Sequence, residues 1–292
     1  MSRAAPLRPM MFIAGTAKLI LPILITWGLW QEPFTLQGFL FALVISLFLV
    51  FLGRWDLVGV PLRYVFVAAL LFIAYDKGGP RPCILTLVLL AALSLLFRHH
   101  GDGSIDMQFP LGPGTYYVVQ GGQSSWLNHH HPSRSQKFAL DIVALNRWGI
   151  RARGIYPRQL EAYCIFGDSV YSPCSGTITA TKGDLADVLP GQADEKHVTG
   201  NHIVIRHDGT DIYVGLCHLM KDTILVRAGE HVETMQRLAR VGNSGNTSEP
   251  HLHVHAKRGG VAESMLDGEA VTVCFKSRWL IRGDVLRSTY RG

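Results

Sequence analysis

Residues 242–255 read GNSGNTSEPHLHVH: a run of glycine, asparagine, serine and proline leads directly into three histidines on alternate positions. Side chains alternate across a strand, so His251, His253 and His255 project to one face and Leu252 and Val254 to the other. Same-face neighbours stand about 6.6 Å apart along a strand, which lets one histidine bind a metal while the next reaches the metal's water. A solvated strand face accounts for an isolated histidine; three in alternation behind a turn-forming loop favour a metal or catalytic site. A catalytic zinc takes three protein ligands and keeps one position for water, so one strand is not enough.

Two upstream segments offer the rest. Asp141 lies in FALDIV, with Ala139 and Val143 in phase and Leu140 and Ile142 out of phase, and a carboxylate in so apolar a strand needs a partner. The cluster His129, His130 and His131 precedes it in a polar loop. A further histidine, His218, ends the run DIYVGLCHL in phase with Ile212, Val214 and Leu216. By parity alone it falls on a largely apolar face, the usual place of a core histidine.

The surrounding chain is β-rich. TYYVVQGG, KFALDIVAL, VYSPCSGTITATKG, NHIVIRH, DIYVGLCHLM, HLHVHAK and AVTVCF are short runs rich in β-branched and aromatic residues, bounded by turn formers. The best helical candidate downstream of residue 100 is the short ESMLDG. The stretch HHGDGSIDMQFPLGPGT reads as a linker over 99–114, leading into a β-rich domain over 115–292. None of the five cysteines forms a Cys-x-x-Cys pair, so a cysteine zinc site has no support; a Cys164–Cys174 disulfide and free buried thiols are equally compatible. Neither His-Glu-x-x-His nor Gly-x-Ser-x-Gly occurs.

Residues 1–98 are of another kind. Residues 1–97 hold only ten charged side chains and no histidine, whereas all thirteen histidines lie from His99 onward. Four apolar runs, Met11–Trp30, Leu36–Leu52, Leu57–Tyr75 and Cys83–Phe97, predict three or four transmembrane helices, the fourth run being short of the length a span needs. Arg3 and Arg8 before an apolar core resemble a signal peptide, but no small-residue cleavage site separates that core from the further runs. Residues 1–97 carry a net charge of +4 and the rest of the chain +2, out of +6 in all. The excess is mostly membrane-flanking charge, so the expected partner is the lipid bilayer and not nucleic acid.

Taken in order, an aspartate on an early strand, then SPCSGTI, NHIVIRH, YVGLCHL, VRAGEHV, GNSGNT and HLH, the chain over roughly 115–256 resembles the lysostaphin-type zinc endopeptidases that cut peptidoglycan. The resemblance implies a mainly antiparallel β-rich peptidase domain behind the membrane helices, with Zn2+ as cofactor. It also implies Asp141 and His253 as zinc ligands and His218 and His251 as the catalytic pair. The implied reaction is metal-assisted hydrolysis of an amide, with zinc lowering the pKa of its water from 15.7 to about 7.

The sequence departs from the family at Lys137 in KFALD, four positions before Asp141, where the family has its first histidine ligand; a lysine ammonium is no zinc ligand. The third ligand is expected from the upstream NHHH, with His130 as the choice and His129 and His131 open. Met235 stands where the family commonly has glycine before glutamine. The expected substrate is peptidoglycan or another peptide, with room for a regulatory protein partner. The alternative is a zinc-less peptidase-like binding module. Four spans together with Arg3, Arg8 and Arg54 would put both chain ends in the cytoplasm, whereas a wall substrate requires an extracytoplasmic domain on a bacterial plasma membrane; the latter is the expectation.

Overall fold

The computed structural model describes residues 35–97 and 103–289, which divide into a helical unit (35–97 with 147–150) and a β unit comprising the remainder. The apolar run Met11–Trp30 lies outside the described residues.

The helical unit contains α1 (Leu36–Leu52), α2 (Pro61–Gly78) and α3 (Pro80–Phe97). Pro61 and Pro80 open their helices, where the fixed φ of proline suits the first turn and its missing N–H is not needed. Between α1 and α2, Arg54 grips the fully buried Asp56 through Nε at 2.9 Å and Nη2 at 2.8 Å. Among the described residues, α3 alone is long and apolar enough to cross a membrane. This reverses the expected ranking: starting at Pro80, three residues before the apolar run Cys83–Phe97, gives the fourth segment its length. Helix α1 is 17 residues long, and α2 carries Arg63, Asp76 and Lys77. A multi-span membrane region is therefore not established by these helices.

The β unit has strands β1 (Ile105–Met107), β2 (Gly114–Gln120), β3 (Leu140–Leu145), β4 (Ser169–Tyr171), β5 (Gly176–Lys182), β6 (Asn201–His207) and β7 (Ile212–Leu219). Then come β8 (His231–Val232), β9 (Arg237–Arg240), β10 (Leu252–Arg258), β11 (Glu269–Val271), β12 (Val273–Phe275), β13 (Arg278–Trp279) and β14 (Val285–Ser288). Among the described residues the main sheet is nine-stranded and antiparallel throughout, in the order β14-β2-β3-β10-β7-β6-β5-β8, with β11 also paired to β10. One face packs Leu140, Ile142, Val214, Leu216, Leu252 and Val254 into the core, each worth about 1.5–3 kcal/mol on full burial. The opposite face carries Asp141 and the histidines.

Two expectations fail in the β unit. The supposed linker belongs to the fold from residue 105: β1 pairs in parallel with β12, Leu111 is fully buried, and Phe109 packs edge-on to Phe275 with ring centroids 5.4 Å apart. ESMLDG, residues 263–268, forms turns and bends in place of a helix, because its course is set by side-chain bonds to a buried lysine, Lys257, and to the Val261 N–H. Of the two alternatives left open for Cys164 and Cys174, the free thiols hold: all five cysteines are unbonded.

His218 also departs from its expected place. Leu216 and Leu219 both enter the core although an odd separation should put them on opposite faces. The pairing of β6 with β7 explains this: Asn201 opposes Leu219 and Ile203 opposes Leu216, so β7 spends three steps against two. His218 absorbs the extra residue with φ +61°, a left-handed conformation uncommon outside glycine and asparagine. The bulge turns the imidazole away from the face its parity predicts.

One acid outside the site gives a pH prediction. Burial raises the Asp168 carboxyl to about 6, above its unfolded value of 3.8, so the folded state holds the proton more tightly and stability falls as pH rises between those values. Asp168→Asn is expected to raise the melting temperature at about pH 7.5 and to give no gain below about pH 4. Equal melting temperatures at both pH values, measured on the whole chain in detergent, would count against this.

Candidate active site

Strands β3, β10 and β7 lie side by side, and their register places His253 opposite Asp141 on one flank and opposite Cys217 on the other. His253 Nδ1 is 2.9 Å from Asp141 Oδ1, and His251 Nε2 is 3.5 Å from the same oxygen. His130, eleven residues before Asp141, brings its Nε2 to 3.1 Å from both carboxylate oxygens. Its ring lies edge-on to that of His253, with centroids 4.6 Å apart. His218 completes the cluster, its ring 4.8 Å from His251 and 5.7 Å from His253. The four histidines His130, His218, His251 and His253 thus cluster with Asp141.

The loop between β2 and β3 reaches this place because of Asn128, which is fully buried. Its Nδ2 faces the carbonyls of Gly122, Lys137 and Ala139 at 3.2, 3.2 and 3.0 Å, tying the two ends of the loop together. Its Oδ1 accepts the His130 N–H at 3.1 Å. Asn128→Ala is expected to lower stability by about 1–3 kcal/mol, since it strips partners from buried backbone groups. Asn128→Asp, which keeps the shape and loses the amide donor, should do the same; unchanged denaturant midpoints for both would contradict this role.

The neighbouring histidines differ. His129 stacks on His130 with centroids 3.8 Å apart, whereas His131 Nδ1 lies 3.4 Å from Ser125 Oγ. Lys137 sets its ammonium over the Phe138 ring at 5.4 Å.

Two backbone carbonyls orient the pair expected to be catalytic. His218 Nδ1 donates to Ser244 O at 2.9 Å and His251 Nδ1 to Glu249 O at 2.8 Å, which leaves each Nε2 with its lone pair. Both carbonyls belong to the Gly242–Pro250 loop, which is held at several points. Asn243 donates to Val188 O at 2.7 Å, Ser244 Oγ to Leu219 O at 2.8 Å, and the buried Arg151 donates to Glu249 Oε2 through Nε at 3.0 Å. Gly245 has φ +84°, and a Cβ there would lie 2.4 Å from His197 O, so a glycine is required where the 185–200 loop closes on this one.

Burial sets the protonation states. It pushes His218 down to about 3, with the His251 charge adding to the effect, and it drives His253 well below the usual imidazole range. Burial also depresses His130, but the charge and hydrogen bond of Asp141 outweigh it, so His130 is raised on balance. Burial raises Asp141, and the imidazoles, His130 first, pull it well below the ordinary carboxylate value.

Among the described residues, three groups have ligand atoms within 4.8 Å of one another: His129, His130 and Asp141; His218, His251 and His253; Cys217, His253 and His255. The first two meet at Asp141, where imidazole nitrogens and a carboxylate suit zinc or another borderline divalent ion. A buried carboxylate ringed by imidazole nitrogens fits such a cation. Cys217 suits it less, because burial pushes its thiol up and so opposes the thiolate a metal needs.

Residues 162–265 match the model of Peptidase family M23. The M23 match takes in His218, His251 and His253 and starts downstream of His130 and Asp141. An uncharacterized metalloprotease of Haemophilus influenzae is 26% identical over 167 residues, covering 52% of this chain and 32% of that protein. The peptidoglycan DD-endopeptidase ShyA of Vibrio cholerae is 31% identical over 144 residues, covering 48% of this chain and 31% of that protein. This chain thus spans about a third of the length of the curated relatives it matches. A zinc-containing peptidase from Vibrio cholerae aligns in structure at 21% identity and a TM-score of 0.30, over 51% of this chain and 37% of that one.

Several residues of the site carry no signal in the sequence. Asn128 stands in NHHH as one more polar loop residue, and Ser244 and Glu249 act through carbonyls, which have no side-chain signature. Arg151 lies about a hundred residues from Glu249, and nothing local announces the pair.

Proposed function

We propose that this chain is a membrane-anchored zinc endopeptidase that hydrolyses peptide bonds in peptidoglycan, with His130, Asp141 and His253 holding the metal and His218 and His251 handling protons. The observation that carries the reading is His130 beside Asp141. It supplies an imidazole where Lys137 leaves the family's ligand set one short. The M23 match, the metalloprotease and endopeptidase relatives and the donor chemistry around Asp141 support it.

A bound zinc ion supplies Lewis acidity, polarising the scissile carbonyl and making a water acidic near neutral pH. The chain's own groups do the rest. With Nδ1–H committed to carbonyls, His218 and His251 both present Nε2 as a proton acceptor. One of them takes the proton of the attacking water. The imidazolium so formed then stabilises the oxyanion and returns the proton to the leaving amine. This refines the role expected for His218: neutral, it has no proton to offer an oxyanion until it has taken one up. Burial of both rings keeps competing water away from the exchange.

Helix α3 would serve as the tether, and the wall substrate places the β unit outside the cytoplasm. A tethered enzyme cuts a polymer locally. The test is to incubate the purified 292-residue protein, in detergent and loaded with zinc, with peptidoglycan sacculi and to analyse the soluble products by mass spectrometry. New peptide amino and carboxyl ends are expected, abolished by a chelator and restored by zinc. Folded, zinc-loaded protein that binds sacculi without cutting them would instead support the binding module.

A further inference from the structure

We infer that Asn201 is a positioning residue for the proposed reaction: its carboxamide and its N–H clamp the bulge on β7 and so aim the His218 imidazole at the site. Strand β7 alone does not favour the bulge. His218 has φ +61°, and a left-handed conformation at a residue with a Cβ persists only where its surroundings over-determine it. In a regular ladder β7 would match β6 residue for residue, and His218 would follow its parity into the core. The extra residue therefore needs bonds that hold it out of the ladder.

Asn201 stands where the ladder resumes, opposite Leu219, and is fully buried. Both hydrogens of its Nδ2 are used, one on Leu185 O at 2.8 Å and the other on Leu219 O at 3.1 Å. Its Oδ1 accepts the Leu185 N–H at 2.9 Å, so all three partners fit one orientation of the amide. The Asn201 N–H donates to Ser244 Oγ at 2.8 Å, and that hydroxyl donates to Leu219 O at 2.8 Å. Two side chains thus hold the carbonyl next to the bulged residue. The backbone groups of His218 itself go to neighbouring segments: its N–H donates to Thr199 O at 3.1 Å, and its carbonyl accepts the Gly242 N–H at 3.0 Å. Ser244 carries the clamp to the ring, because its carbonyl meets His218 Nδ1 at 2.9 Å while its hydroxyl answers Asn201. Gly200, with φ +58°, makes the junction possible, since a Cβ there would collide with the Ser244 carbonyl.

The inference rests on the proposed role of His218 for its effect on catalysis; the clamp is a property of the metal-free protein, and the two are tested apart. On the whole chain in detergent, loaded with zinc, Asn201→Ala is expected to lower kcat on sacculi about 10–100-fold with KM and zinc affinity unchanged. In a His218→Asn background the same substitution should cost less than about threefold, because it acts through an imidazole no longer there. A general loosening of the sheet would cost the same factor in both backgrounds. Without metal, hydrogen–deuterium exchange of Asn201→Ala should quicken at the His218 and Gly242 amides and stay as in wild type across β2 and β3. A folded Asn201→Ala with wild-type kcat overturns the inference, as do equal losses in the two backgrounds or unchanged exchange at the bulge. If Asn201→Ala does not fold, Ser244→Ala takes its place, removing the hydroxyl and keeping the carbonyl. It must then show the same local quickening and the same dependence on His218, or the inference fails. Wild-type protein that binds zinc without cutting sacculi would sink the proposed function, and the exchange measurement alone would then uphold or overturn the clamp.

Discussion

His130→Ala is expected to weaken zinc binding about 100-fold, because three ligands share an apparent energy on the order of 10 kcal/mol and one-third of that is worth roughly this factor. Asp141→Ala and His253→Ala should do at least as much. Lys137→Ala and His131→Ala should leave affinity nearly unchanged, since neither residue is among the groups around Asp141. His129 stacks on His130, so its removal should give a smaller loss. Chelator competition on the whole chain measures all of these. A His130→Ala protein that binds zinc as tightly as wild type would remove His130 from the site, and a full loss in His129→Ala would transfer the role to its neighbour.

The metal-free protein gives a second readout of the same contact. His130 is raised above its unfolded value, so its stabilising contribution is complete below that value and disappears as pH rises through the raised one. Asp141 is depressed, and its contribution disappears as pH falls through the depressed value. The destabilisation caused by His130→Ala should therefore be larger at about pH 5.5 than at about pH 8.

The second large effect concerns the proton-handling pair. His218→Asn and His251→Ala are each expected to lower kcat by about 10²–10⁴-fold with zinc retained, the range typical of general acid–base groups. Asparagine is chosen at His218 because that residue has φ +61°, a conformation asparagine tolerates well, and its amide can still donate to Ser244 O. The His218→Asn protein should accordingly melt near the wild-type temperature while hydrolysing sacculi far more slowly. Activity within a few-fold of wild type in both variants would mean that neither imidazole moves a proton.

The gap between sequence and structure is widest at the histidines of the proposed catalytic pair. His251, like His253, is readable because a strand's period is local: once HLHVH is a strand, the shared face is determined. His218 obeys the same rule on paper, and parity sends it to the core. The rule fails because a bulge on β7, set by pairing with β6, is a property of two strands and not of one. The helices show a similar limit. An apolar run ending at Phe97 is visible in the sequence, but its helical start at Pro80 depends on how a proline-containing turn opens a helix.

By itself, then, the sequence determined the division at about residue 98, the β-rich character of the chain beyond it, and Asp141, His251 and His253 as chemistry-bearing positions. Composition and period are carried by neighbours along the chain. Only the tertiary structure decided that His130 returns to Asp141, that His218 turns toward His251, that residues 105–111 belong to the core, and that His255 bonds His253 and Met265. Each of these depends on a buried group finding its partner far along the chain, as Asn128 does across its loop and Lys257 does around Met265. Such partners are selected by the cost of leaving a buried polar group unsatisfied, which only the folded chain imposes.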